Sequence, residues 1–556
     1  MFIYNIKESD LNYSQSPRLN PTIRGCKVNA MFYKIFFKKR NKLMLIRLFF
    51  LVFLSAPLTL FAQEKSFSNR SAFNQSDQSL ISYRTILQQT DKEFLWFVSD
   101  QLTLSGMNLN SLFTDLGWFY LPNVNKPSKA QQQQHDLMLT AGLLKLMTQE
   151  SSYSSLATSS AESLLTNAVN KGETDQLLLS LIPKYQQVEQ LRKTIVYYQL
   201  LSAYPWPTLD VNFQPKLGQS HYKIKALRNI LTRLGDLPRK MQTAYRRDIF
   251  DSVVIQALKK FQLRHGLTVD GKLGPNTYAA LRVSPEQRIK QLQVNLWRWF
   301  TLPKQPDKYL LVNIPNYQLS VIEYGKQVLK MKVIVGDRDN QTPQMITKIN
   351  QITLNPTWTP TYNIIKNELI PEYQKNHLSL KRKNFQLVKG SRRAPQYREI
   401  DRANMDLPEL LQSYRLVQAP GVNNALGNYR FNIPNNQSIY LHDTPVKSLF
   451  NNQFRALSHG CVRLEDAGLL AKYLLTLEGQ GNEGQRSEGQ RSEQKMLAAL
   501  NAGNTKYLSL NNDLPAYITY QTAWFNQQGV LHFSADIYAL DNKSANPAQF
   551  QTVNSM

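Results

Sequence analysis

The feature that most constrains the fold is a change of periodicity near residue 305. Residues 309–336 read YLLVNIPNYQLSVIEYGKQVLKMKVIVG, β-prone runs broken by Pro315-Asn316 and Tyr324-Gly325-Lys326, and spell two or three strands with turns between them. QITLNPTWTPT at 351–361 reads as another strand. Upstream, apolar residues fall at helical spacing instead. Phe94, Leu95, Phe97, Val98 and Leu102 are followed by Leu137, Leu139, Leu143, Leu144 and Leu146, then by runs at 177–182 and 188–204. Helices first and strands after define a multidomain α+β class. The 556 residues allow two to four domains at roughly 150 residues each.

Residues 219–284 form a separate helical unit. Leu227, Leu231 and Leu234 share a face, and Gly235 follows as a C-terminal cap. Asp251 caps a second helix carrying Val254, Ala257, Leu258 and Phe261, ended by Gly266. A turn through Asp270-Gly271 leads into a third helix ending near Leu281. The segment 236–250 is long for a minimal three-helix bundle. A connecting helix at 285–304 then places Ile289, Leu292, Leu296 and Trp299 on one side.

The first 62 residues stand apart. A basic stretch from Lys34 to Arg47 precedes the apolar LFFLVFLSAPLTL at 48–60 and then Phe61-Ala62, the layout of a secretory signal peptide. Translation starting at Met31 or Met44 would shorten that leader. Membrane association is expected only through an uncleaved leader. Residues 63–80 are Ser/Asn/Gln-rich and read as a disordered linker. The leader contributes ten Lys/Arg against two Asp/Glu, so the rest of the chain keeps +18 of the formal +26. Such a surface suits an anionic partner. No zinc-ligand cluster, RNP-like motif or basic-aromatic repeat points to nucleic acid, which favours a cell wall or membrane surface.

Chemistry concentrates at 440–463, where Tyr-Leu-His-Asp-Thr-Pro is followed after nine residues by Arg-Ala-Leu-Ser-His-Gly-Cys-Val-Arg. Cys461 is the single cysteine outside the first thirty residues, and His442 and His459 are two of seven histidines. An unpaired thiol is a liability in an oxidising compartment, so its presence hints at use. A lone cysteine is commonly a small buried hydrophobe. Here Gly460, the nearby histidines and an amphipathic helix from about Glu465 favour a nucleophile, with Cys461 just ahead of that helix's N-terminus. The distant His442 is the better general base, brought in at the end of a short strand, and His459 is its competitor. Asp443 alternates to the other side of that strand, leaving a backbone carbonyl to orient the imidazole. No metal or cofactor is required: the chain has no ligand cluster, and a thiolate–imidazole pair suffices.

The run YLHDTP…RALSHGCVR resembles the signature of the L,D-transpeptidase family, a histidine followed after a spacer by Ser/Thr-His-Gly-Cys. The likeness is closest to the large multidomain periplasmic members. It implies a mostly β catalytic domain at 305–478, with Gly336-DRDNQTP as the family's Gly-x-x-x-x-x-Thr-Pro loop and a capping insertion at about 362–414. QLRKTIVYYQLLSAYPWPTL at 190–209 resembles the end of the helical scaffold domain, 81–218. Ala257-Leu258, Phe261-Gln262, Gly266-Leu267, Asp270-Gly271, Gly274, Thr277 and Ala280-Leu281 resemble a peptidoglycan-binding module. A tandem Glu-Gly-Gln-Arg-Ser repeat makes 479–495 a low-complexity loop, and 496–556 is expected to pack on the catalytic domain.

The resemblance implies peptidoglycan cross-linking in the periplasm, at the cell wall. Cys461 would be acylated by a tetrapeptide stem with loss of D-alanine, a neighbouring stem amine would accept the acyl group, and carbapenems would inhibit. His442 takes the base's position. Cell-wall synthases are candidate partners. The oxyanion and substrate-binding candidates are the N–H groups of Gly460 and Cys461, the Tyr440 hydroxyl, Ser458, His459, Arg463 and Trp358. Arg463 replaces an asparagine common in smaller members and could hold a substrate carboxylate or brace the loop. Tyr362 joins Trp358 as a candidate for the acyl-donor groove. Hydrolysis of the same thioester, an L,D-carboxypeptidase, and a non-enzymatic wall-binding protein are the alternatives. Chain order argues against a papain-like protease, whose cysteine lies near the mature N-terminus with its histidine downstream.

Overall fold

The computed structural model describes residues 77–121, 126–148, 157–209, 213–241, 247–391, 394–400, 405–478, 493–542 and 551–552. The leader, the linker up to residue 76, Arg392, Arg393 and most of the low-complexity loop lie outside them. No described helix is long and apolar enough to cross a membrane.

Helices Asp77–Thr90, Leu104–Asp115, Lys129–Thr148, Thr158–Lys171, Thr174–Leu181 and Gln186–Ser202 pack around Trp96, Phe113, Leu139, Leu143, Leu165, Leu191 and Ile195. Asp136 lies within this core, where its carboxylate accepts from the backbone N–H groups of Leu95 (2.9 Å) and Trp96 (2.7 Å). Burial lifts its pKa to about 6.

The helix Pro285–Phe300 opens with a reciprocal capping box between Ser284 and Gln287. Its apolar face carries Leu292, Leu296, Trp297, Trp299 and Phe300 into the helical core. That core also contains Tyr309, Tyr517 and Phe525 from the β region. The connecting helix is therefore a shared wall. Each such side chain contributes about 1.5–3 kcal/mol by leaving water.

The three-helix unit comprises Lys223–Arg233, Ser252–Arg264 and Pro275–Arg282. The Asp251 side chain caps the second helix at Val254 N (3.0 Å), and Gly235 follows the first with φ +83°. Gln262, 1 % exposed, ties the Asp-Gly turn together. Its amide donates to Asp270 (2.8 Å), the Lys272 carbonyl (2.9 Å) and Thr277 (3.2 Å), and its oxygen accepts from Gly271 N (2.8 Å). These motif residues thus hold the module's own turn. The module docks on the β region through Gln453, which donates to the Gly266 carbonyl (2.6 Å), and through His265 stacked on Phe533.

The main sheet of the β region closes on itself. Its pairings run Tyr429–Asn432, Leu441–His442, Val462–Leu464, Lys326–Gly336, Gln318–Glu323, Lys308–Asn313, Lys506–Thr519 and Met345–Leu354, and Met345–Leu354 pairs again with Tyr429–Asn432. Phe431, Leu441, Val462, Val333, Val335 and Ile352 fill the interior together with Leu470 and Leu474 of the helix Ala467–Glu478.

Five sequence expectations change here. Phe97–Val98 and Gln101–Leu102, read at helical spacing, pair as a short antiparallel hairpin, and the helix Asp77–Thr90 takes in the last four residues of the 63–80 linker. The segment after 496 does more than pack on the catalytic domain: Met496 and Ala499 join its core, and Lys506–Thr519 is a central strand, parallel to Lys308–Asn313 and antiparallel to Met345–Leu354. The strand read at 351–361 ends at Leu354, because Asn355 adopts φ +44° and breaks the ladder. The capping insertion extends beyond 414, since Arg415–Gln418 forms a three-stranded sheet with Phe385–Gly390 and Pro395–Glu399. The cap has its own core of Ile364, Leu369, Tyr373, Leu380, Phe385, Leu387 and Leu416.

Candidate active site

Parallel pairing closes the gap between the two halves of the 440–463 motif. Leu441 faces Val462, His442 faces Arg463, and Val462 N donates to the Tyr440 carbonyl (3.1 Å), which sets Tyr440 beside Cys461. Leu441, Val462 and Leu464 point into the core, so by the two-residue alternation Tyr440, His442, Cys461 and Arg463 share the opposite face. Arg430 joins them, since it pairs with His442 from the other side. His442 therefore sits between two arginines.

The correction concerns the helix. The strand Val462–Leu464 follows Cys461 directly, and the helix starts only at Ala467, where Asp466 receives Leu469 N (2.9 Å). The thiol owes nothing to that helix's N-terminus. Its charge neighbours are side chains. Burial pushes the Cys461 pKa up, opposed by hydrogen bonding from the Tyr440 backbone, the Arg463 charge, the Tyr440 hydroxyl and the Arg430 charge. The Trp358 indole in turn hydrogen-bonds Tyr440, whose own pKa burial raises.

His442 is 4 % exposed, and its Nδ1 lies 2.5 Å from the Asp443 carbonyl oxygen. A carbonyl only accepts, so Nδ1 carries the proton and Nε2 is the free base. Burial, reinforced by Arg463, lowers its pKa to about 3. The Asp443 carboxylate faces away, engaged by Lys447 (2.6 Å) and Asn428 N (3.0 Å).

The cysteine loop is held by groups expected to bind substrate. Ser458, 2 % exposed, donates to the Cys461 carbonyl (2.6 Å) and accepts from Gly460 N (3.2 Å). This corrects two assignments: Ser458 is a loop brace, and the Gly460 N–H is spent inside the protein. No described residue accepts from the Cys461 N–H, so it and the Tyr440 hydroxyl remain the candidate oxyanion donors. Gly460 has φ +105°, and a Cβ there would come within 3.1 Å of Ile439.

Behind the loop, Thr342 accepts from Gly336 N (2.8 Å) and donates to the Gly460 carbonyl (2.7 Å). Tyr538 donates to the Gly336 carbonyl (2.6 Å) and accepts from Thr342 N (3.2 Å). A Cβ on Gly336 would lie 2.0 Å from the Asn340 carbonyl, which explains the glycine.

Trp358 bridges to Gln418 in the cap and packs on Phe385, while Tyr362 stands 72 % exposed. His459 points to the cap, its Nε2 lying 2.5 Å from Glu368. The Nε atoms of Arg430 and Arg463 are buried without a hydrogen-bond partner among the described residues. Sequence reasoning missed Arg430, Tyr538 and Glu368. Register alone reveals the first, and the other two arrive from segments with no motif. No metal-ligating cluster occurs among the described residues.

A half-buried thiol directly before one strand and a buried imidazole on the neighbouring strand form the kind of pair that cysteine acyl transfer uses. Residues 307–484 match the YkuD family, described as the L,D-transpeptidase catalytic domain, and 220–281 match the family described as "Putative peptidoglycan binding domain". These stretches of the chain are thus similar to an L,D-transpeptidase catalytic domain and, before it, to a peptidoglycan-binding module. A curated relative from Haemophilus influenzae, named "Putative L,D-transpeptidase", is 32 % identical over 263 residues, which are 47 % of this chain and 50 % of that one. The chain therefore spans half the length of that relative. Solved structures of L,D-transpeptidases from Stackebrandtia nassauensis and Xylanimonas cellulosilytica are 18 % and 15 % identical. They cover 48 % and 47 % of this chain and 90 % and 91 % of their own, with TM-scores of 0.20 and 0.14, too low to support a fold argument.

Proposed function

We propose that the protein is an L,D-transpeptidase that cross-links peptidoglycan through a thioester on Cys461, releasing D-alanine from a tetrapeptide stem. The observation that carries this is the fixed tautomer of His442, buried and neutral, on the strand beside Cys461. Raised thiol and lowered imidazole pKa values favour a resting pair without charge. The sulfur attacks the stem carbonyl as its proton moves to His442 Nε2, and that proton then passes to departing D-alanine. The Cys461 N–H and the Tyr440 hydroxyl face the oxyanion, and Arg463 and Arg430 supply positive potential across a desolvated face. The amine of a second stem resolves the thioester.

The module, the basic surface and the expected leader support a periplasmic protein associated with the cell wall. Carbapenems would acylate the same thiol.

Intact-mass spectrometry with tetrapeptide muropeptides tests the reading, beside Cys461→Ala. The expected result is an acyl adduct on the wild type alone, free D-alanine and a cross-linked dimer. An adduct that only hydrolyses would instead make the protein an L,D-carboxypeptidase. No adduct with muropeptide or carbapenem would leave a wall-binding protein.

A further inference from the structure

We propose that Glu368, on the cap, is the carboxylate that binds the ammonium of the acyl acceptor and takes up one of its protons, while His459 holds its other oxygen. The inference rests on the transpeptidase reading above and names the part of the site that reads the second substrate.

The site around Cys461 is cationic. Arg430 and Arg463 flank His442 on the same sheet face, and both charges act on the thiol. That potential suits a thiolate, an oxyanion or a stem carboxylate, and it repels an incoming ammonium. An acceptor amine therefore needs a counter-charge near the thioester.

Apart from the exposed Asp339, the acids on the β region beside this loop are already engaged. Asp337 accepts from the Asp339 and Asn340 backbones, Asp443 is held by Lys447 and Asn428, Glu465 pairs with Lys332, and Asp466 caps its helix. Glu368 differs from them. It comes from the cap segment Ile365–Leu369, and its Oε1 reaches His459 Nε2 at 2.5 Å, two residues from Cys461. Two residues of backbone span at most about 7 Å. The Arg463 guanidinium feels both Glu368 and Cys461, an independent sign that the two lie around the same charge.

The Glu368 side chain is 50 % exposed, and its other oxygen has no partner among the described residues. An ionised carboxylate has about four acceptor positions, so one oxygen can keep His459 while the other takes an ammonium N–H. Aminolysis converts R–NH3+ and the Cys461 thioester into an amide, a free thiol and one proton. The new C–N bond replaces the C–S bond. One proton from nitrogen returns to sulfur by way of His442, and the second passes to the free Glu368 oxygen and on to solvent.

The test uses the purified full chain, acylated by a tetrapeptide donor and offered two acceptors. One is a stem peptide with an ammonium side chain, and the other is hydroxylamine, which is neutral at pH 7. With Glu368→Gln, the ratio of aminolysis to hydrolysis should fall about tenfold or more for the ammonium acceptor, the loss of one charge-assisted hydrogen bond, and stay level for hydroxylamine. Glu368→Lys should deepen the ammonium loss alone. Equal losses for both acceptors together with slower acylation would overturn the assignment and leave Glu368 as a latch for the cap. An unchanged ratio would overturn it too. Absence of any wild-type adduct would instead sink the transpeptidase reading, and this inference with it.

Discussion

Thr342→Val is the most informative single change. Valine copies the shape of threonine, so the substitution opens no cavity at a position 2 % exposed. What it removes is one hydroxyl with two bonds, accepting from Gly336 N at 2.8 Å and donating to the Gly460 carbonyl at 2.7 Å. Both orphaned groups are backbone and buried. Each unsatisfied group of this kind costs about 1–3 kcal/mol, so the variant should lose about 2–6 kcal/mol in denaturant unfolding. Function should suffer separately. The released Gly460 carbonyl lets the Cys461 loop shift, and a displacement of about 1 Å at a reacting atom can cost about 100-fold in rate. Acylation by a carbapenem, followed by intact mass, measures that loss. Thr342→Ser restores the hydroxyl and should recover the acylation rate while costing about 1 kcal/mol for the missing methyl. A Thr342→Val protein unfolding within about 0.5 kcal/mol of wild type, or acylating at the wild-type rate, would refute the bracing argument.

Acylation should be flat between about pH 5 and pH 8, because His442, with its pKa lowered to about 3, stays neutral throughout and the Cys461 thiol stays protonated. An acid limb near pH 6.5 would contradict it. Stability follows the same group: the unfolded chain takes up the His442 proton below about pH 6.5 and the folded protein only near pH 3. The contribution is therefore complete above 6.5 and lost as pH falls towards 3, and His442→Gln should flatten that acid limb in thermal melts. Gly336→Ala should abolish acylation or unfold the loop, since its Cβ would sit 2.0 Å from the Asn340 carbonyl; a normal rate on mass analysis would refute the close approach. Gln262→Leu should cost about 2–4 kcal/mol by leaving Gly271 N and the turn's acceptors unpaired, and should release the chain from peptidoglycan in pull-downs at a lower temperature. Unchanged melting would show the turn to be self-supporting.

What was legible in the sequence was local. Asp251 announced its cap, Gly235 its helix end, and the turns at Pro315-Asn316 and Tyr324-Gly325 the first three strands, because these choices depend on residues a few positions apart. The strand Lys506–Thr519 between two strands some 150–200 residues earlier was not legible, since nothing in its own run records its neighbours. The same limit misplaced the support for Cys461. Acids and leucines after 465 correctly mark a helix, but Val462–Leu464 is too short to stand out, and its insertion moves the helix end away from the thiol. Gly460 and Ser458 were misassigned for a related reason: sequence shows that donors exist, and only the folded loop shows which are already taken.

The placement of Lys506–Thr519 also fixes an order of events in synthesis. A ribosome delivers Cys461 and His442 well before the strand that joins Lys308–Asn313 to Met345–Leu354, and Tyr538, which clamps the Gly336 turn, arrives later still. Until then the sheet is an open ribbon with two unsatisfied edges, and the thiol has no finished pocket around it. Assembly of the reactive centre is thereby deferred until Lys506–Thr519 and Tyr538 have been made.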